Sequence, residues 1–147
     1  MSYVTNTEIE TRLGTATYVQ LTDDDGDQQA EAAVVDEARL GAEGEVESYL
    51  ARRYAVPIDL TLHPEVGDVL TSIVLDLVEL RLRSRRPPVP EVTLKQHADA
   101  LQWLRDVADG RVELPSVTPL AGSALRGPSV LSTSEPRTLS RDELSSH

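Results

Sequence analysis

The stretch Pro64–Arg85 constrains this chain more than any other. Its apolar residues, Val66, Val69, Leu70, Ile73, Val74, Leu77, Val78 and Leu80, follow the 3.6-residue spacing of a helix. Leu75 and Leu82 spill onto neighbouring faces, so the stripe is wide. A helix apolar around most of its girth is buried on several sides, by partner helices or by other subunits. At 1.5 Å per residue it would be roughly 33 Å long, enough to cross a small domain. Pro64 suits the first turn, where its missing N–H costs nothing. Arg81, Arg83, Arg85 and Arg86 crowd the other end, where positive charge opposes the helix dipole, and Pro87 and Pro88 stop it. The pattern predicts a central helix.

What can pack on it follows from composition. Phe is absent and the aromatics are four Tyr and one Trp. The core must therefore be Leu, Val and Ala, which suits helix on helix. A length of 147 residues fits one domain with an appendage. With no cysteine there is neither a disulfide nor a thiolate metal site. The start, Met1-Ser2-Tyr3-Val4, lacks the basic and apolar regions of a signal peptide. Asp76, Glu79 and the arginines interrupt the best apolar run short of the roughly 18 residues a membrane span needs. A formal charge of −11 argues against a surface that grips nucleic acid.

The other elements fall on either side of the central helix. Residues 5–13 read as a short helix, with Thr5 or Thr7 as cap, Glu8 and Glu10 in the first turn, Ile9 and Leu13 apolar, and Gly14 as stop. Residues 15–21 leave a second short helix and an irregular turn both open. From about Gln28 to Tyr54 a long helix is predicted, with Val35, Ala38, Ala42, Val46, Tyr49 and Leu50 as its stripe. Gly41 and Gly44 inside it mark a close crossing or a break, since each costs about 1 kcal/mol relative to Ala. Val56-Pro57 ends the segment. A last helix runs from about Thr93 to Asp109. Leu94, Ala98, Leu101, Leu104 and Ala108 form its inner side, Trp103 and Val107 widen it, and Gly110 stops it.

Beyond Leu114 the composition changes to Ser, Pro, Thr and Gly. Arg126, Arg137 and Arg141 cancel Glu135, Asp142 and Glu143, so the whole charge of −11 lies in residues 1–114. The division is a helical body, 1–114, and an extended arm, 115–147, that is mobile until docked. Leu120, Leu125, Val130, Leu131, Leu139 and Leu144 stud the arm, as suits a segment that orders on a partner.

Few residues invite chemistry. Asp23, Asp25 and Asp27, with Gly26 for a sharp turn and Glu31 closing a shortened loop, are a candidate calcium site. The twelve-residue calcium loop fails, because its first and twelfth positions would be Leu21 and Ala32. The plainer reading, an acidic lead-in favoured by the dipole of the following helix, fits better. His63, His97 and His147 are too far apart for metal-ligand spacing. No nucleophile elbow or phosphate loop is present. The arginines at 81–86 read as charge on a helix C-terminus, paired with acids of the second long helix, ahead of a nucleic-acid contact.

Several stretches together resemble the Mu-like phage head–tail connector (adaptor) proteins. They are Tyr3-Val4 with Ile9-Glu10-Thr11-Arg12-Leu13-Gly14, the acidic segment from Val19 to Asp27 with Glu31-Ala32-Ala33-Val34-Val35, and Tyr49-Leu50-Ala51-Arg52-Arg53-Tyr54-Ala55-Val56-Pro57. The run from Ala100 to Gly110 and the motif Pro136-Arg137-Thr138-Leu139-Ser140-Arg141-Asp142-Glu143-Leu144 complete the set. The family's motif usually carries an aromatic where this chain has Leu139. The resemblance implies an all-α bundle without enzymatic activity. It also implies a ring of about 12 copies under the portal protein, at the head–tail interface of the virion, after assembly in the host cytoplasm. Such a ring extends the DNA channel, lets DNA pass without specific binding, and receives the next neck or tail-completion protein. No membrane and no cofactor is part of this expectation. Leu139, Arg141 and Leu144 are the residues expected to anchor the arm on the portal or a neighbouring copy. A small acidic calcium-binding module is the alternative.

Overall fold

The computed structural model describes residues 2–122. Among them the protein is all-α, with five helices and no strand. The expected arm anchors Leu139, Arg141 and Leu144 lie outside the described residues.

Helix α1 spans Asn6–Leu13. Its start is a reciprocal cap: the Glu8 N–H donates to Thr5 Oγ1 at 3.2 Å, and the Thr5 N–H donates to Glu8 Oε2 at 2.7 Å. Gly14, at φ +81°, ends α1 and starts α2, Thr15–Thr22. That positive φ is cheap only without a Cβ. The stretch left open by the sequence is thus a helix, held by Tyr18, Leu21 and Thr22, all buried.

Helix α3, Ala32–Leu50, is shorter than predicted at both ends. Its start is delayed because Gly26 and Gln28 take positive φ, which no helix can continue through. Val35, Ala38, Ala42, Val46 and Leu50 are buried as expected, but Glu43, placed outside the stripe, is buried too. No break occurs at the glycines. Gly41 marks a close approach, since a Cβ there would sit 3.0 Å from Arg81 Nη1, whereas one on Gly44 would meet nothing within 4 Å. Gly44→Ala is therefore expected to raise stability by about 0.5–1 kcal/mol. Gly41→Ala should gain less, because the Arg81 side chain must move. Chemical denaturation of the two variants side by side measures both; equal gains would mean that the approach at Gly41 is soft.

Helix α4, Pro64–Arg83, is central: it packs against α1, α2, α3 and the last helix, α5, Glu91–Ala108. Val66, Leu70, Ile73, Val74, Leu77, Val78 and Leu82 are buried among these neighbours. The wide stripe is thus covered within one chain, and only Val69, 42 % exposed, stands clear of it.

The inner face of α5 matches the prediction in its second half and differs in its first. Thr93, Ala100, Leu104, Val107 and Ala108 face inward, while Leu94 and Ala98 are exposed. Leu104, Val107 and Ala108 are buried as predicted and Leu101 is half-buried against the core, so packing on α3 and α4 turns the inward face toward Ala100 and leaves the first two turns' apolar residues outside.

Past α5 the chain stays on the body beyond Leu114. The Leu114 N–H donates to the Tyr54 hydroxyl oxygen at 3.0 Å, and the Leu120 N–H to the Arg53 carbonyl at 2.7 Å. Leu114 is buried and Val117 is half-buried against the core, so contact with the body continues past the composition change at 114.

Candidate functional site

The acidic segment folds into a turn that consumes much of its own charge. Asp23 Oδ1 accepts from the Gly26 N–H at 2.7 Å, and Oδ2 from the Gln28 N–H at 2.9 Å. Asp25 and Asp27 each accept from the N–H two residues on, at 3.0 and 2.8 Å. Glu31 Oε1 reaches back to the Asp24 and Asp25 N–H groups at 3.0 and 3.1 Å. Of the four candidate ligands, Asp23, Asp25 and Asp27 come together, with carboxylate oxygens within 4.8 Å of one another. Glu31 is instead turned to the backbone.

These contacts shape the protonation of the turn. Desolvation works to raise the Asp23 carboxyl, but the N–H groups of Gly26 and Gln28 outweigh it and hold it below the ordinary value of 3.8. At Asp25 the Asp27 N–H acts downward, and desolvation with the Asp27 charge prevails upward. A depressed folded value makes the Asp23 contribution complete above the ordinary carboxylate range and lost as pH falls through the folded value. An NMR titration is expected to show the Gly26 and Gln28 amides following a midpoint below 3.8. A midpoint at or above that value would mean that these bonds do not hold in solution.

The arginines at the end of α4 clamp this turn. Arg85 donates to the Leu21 carbonyl and to Asp24 Oδ2, both at 2.6 Å, and Arg86 donates to the Asp23 carbonyl at 2.8 Å. Arg81 pairs with Glu45 of α3 at 2.8 Å, as read from the sequence, whereas Arg83 turns to Glu79 of its own helix at 2.8 Å. Only Arg81 thus meets the second long helix. The cluster's charge is largely spent inside the molecule.

Two polar centres escaped the sequence reading. Glu79 is buried and takes Arg12 Nε at 3.1 Å, Arg83 Nε at 2.8 Å and the Thr93 hydroxyl at 3.4 Å. Beside it Arg12 reaches Asp76 at 2.5 Å; burial pushes the Asp76 carboxyl up, and Arg12 only partly offsets this. The i,i+4 spacing of Glu79 and Arg83 was a visible signal. Glu43 accepts from the Ser2 hydroxyl and the Tyr3 N–H at 2.6 and 2.8 Å. Tyr3 itself accepts from the Ile58 N–H at 2.9 Å, and burial pushes its hydroxyl up to about 12.

A groove of about 370 Å³ runs between α4 and α5. Val69, Ile73, Ala100 and Trp103 give it an apolar floor, and Asp68, Asp76 and Asp99 line its rim. No cation lines it. No helix of the described residues is long and apolar enough to cross a membrane.

A comparison with curated proteins returns no match. Residues 3–128 match the family described as bacteriophage Mu, Gp36. The match takes in the whole helical bundle and stops short of the Pro136–Leu144 motif. On that coverage the chain belongs to the bacteriophage Mu Gp36 family and is a Mu-like phage protein.

Proposed function

We propose that this protein is a structural head–tail adaptor. Copies would form a closed ring of about 12 subunits on the portal protein, extend the DNA channel, and receive the next neck or tail-completion protein. The family match across residues 3–128 carries this reading. The charge supports it: a body holding the whole formal charge of −11 repels phosphate, so DNA slides past without being held. The role is one of assembly at the head–tail interface, with neither a catalytic step nor a cofactor. The free protein is monomeric or weakly associated in this reading, because ordering the arm costs affinity until the portal supplies a template.

The arm provides the test. Leu139→Ser with Leu144→Ser is expected to leave the helical spectrum nearly unchanged and the melting shifted by less than about 1 kcal/mol, as for surface sites. The same variant should fail to join portal-containing heads. Normal attachment would place the anchors on the helical body instead. A calcium-binding module remains the second reading because Asp23, Asp25 and Asp27 converge. Calorimetry with calcium decides it; no heat at millimolar calcium ends that reading.

A further inference from the structure

We infer that the acid-rimmed groove between α4 and α5 is the seat of the Arg137–Arg141 segment of this chain's own arm. The inference rests on the arm acting as an anchor, as proposed above, and names its receiving surface. The groove is unsatisfied in two ways. Val69 is a large apolar side chain left 42 % exposed beside half-buried Trp103. Asp68 and Asp99 make no ion pair among the described residues, whereas Asp76 already holds Arg12. Its volume, about 370 Å³, lies in the range that takes side chains or small ligands, roughly 300–1,000 Å³.

An occupant must therefore be apolar at its centre and basic on both sides. Residues 137–141, Arg-Thr-Leu-Ser-Arg, have that order. In an extended segment alternate residues share a side, which places Arg137, Leu139 and Arg141 together. Leu139 would cover Val69 and Ile73, the guanidiniums would meet Asp68 and Asp99, and either could lie over the face of Trp103. No other five residues between 123 and 147 set an apolar side chain between two arginines. Reach is not limiting. The chain is tied to the body at Leu120, and the residues between it and Arg137 span up to about 55 Å when extended.

The absence of cysteine and the single tryptophan make the test clean. In the free protein the seat is filled only in passing, which keeps Leu139 a surface site in melting, but full-length protein carrying Val69→Cys and Leu139→Cys is expected to trap it as a disulfide on mild oxidation. A control pair, Leu40→Cys with Leu139→Cys, should not, although Leu40 is 60 % exposed on α3. Bonds within one chain and between chains both support the seat, and gel mobility separates them. Added salt should lower the yield, since the pairs are partly solvated. Asp68→Lys with Asp99→Lys should abolish the bond, and adding Arg137→Glu with Arg141→Glu should restore it. In cysteine-free protein, Leu139→Ser should shift Trp103 emission to longer wavelength. Equal yields for test and control pairs, or no rescue by the charge swap, would overturn the assignment and leave the groove to another protein. Neither readout uses phage heads, so failure here is distinct from failure of the adaptor reading.

Discussion

Replacing Glu79 by alanine is expected to destabilise the protein by about 3–5 kcal/mol, the cost of removing one partner from a buried ion pair. At this chain length that lowers the melting temperature by roughly 10 °C. The carboxylate lies where α1, α4 and α5 meet, taking Arg12, Arg83 and Thr93 at once. Without it, Arg12 keeps only Asp76, and Arg83 loses its one partner among the described residues. Arg12→Ala should cost less, because the Arg12 side chain is 28 % exposed and Glu79 retains Arg83. In a double-mutant cycle the two losses should fall well short of additive. Thermal denaturation of the two single variants and the double decides this. A loss below about 1 kcal/mol for Glu79→Ala would place the centre among weak surface pairs.

Glu43→Ala is expected to cost about 2–4 kcal/mol by leaving buried N–H groups unpaired. The Tyr3 and Val4 N–H groups converge on Glu43 Oε1 at 2.8 and 3.4 Å. Tyr3 in turn pins two distant places: its hydroxyl accepts from the Ile58 N–H, and its carbonyl accepts from the Thr71 hydroxyl at 2.9 Å. Loss of Glu43 should therefore release the N-terminal segment and loosen the loop before α4. Hydrogen exchange should show the Tyr3, Val4 and Ile58 amides losing protection together while α5 keeps its own. Uniform loss across all helices would mean that Glu43 supports the whole core instead.

Where the helices lie was legible without coordinates, because the signals are local. Thr5 and Glu8 cap a helix three residues apart, Gly14 stops one by its own backbone freedom, and Pro64 opens another at its first turn. Val66, Leu70, Val74 and Leu77 announce a buried face through a spacing that any one turn contains. Family resemblance was legible for the same reason, as short runs in a fixed order. What the sequence left open was settled by partners distant along the chain. Arg12 finds Glu79 across 67 residues, Glu43 finds Tyr3 across 40, and Arg85 finds Asp24 across 61. Periodicity places such acids and arginines on a polar face, yet it cannot say which faces will be brought together. The same holds for α5, where the fit against α3 and α4 buries Leu104 and Ala108 of the predicted side but leaves Leu94 and Ala98 exposed. It holds also for the groove, whose floor and rim come from two helices that the sequence describes one at a time.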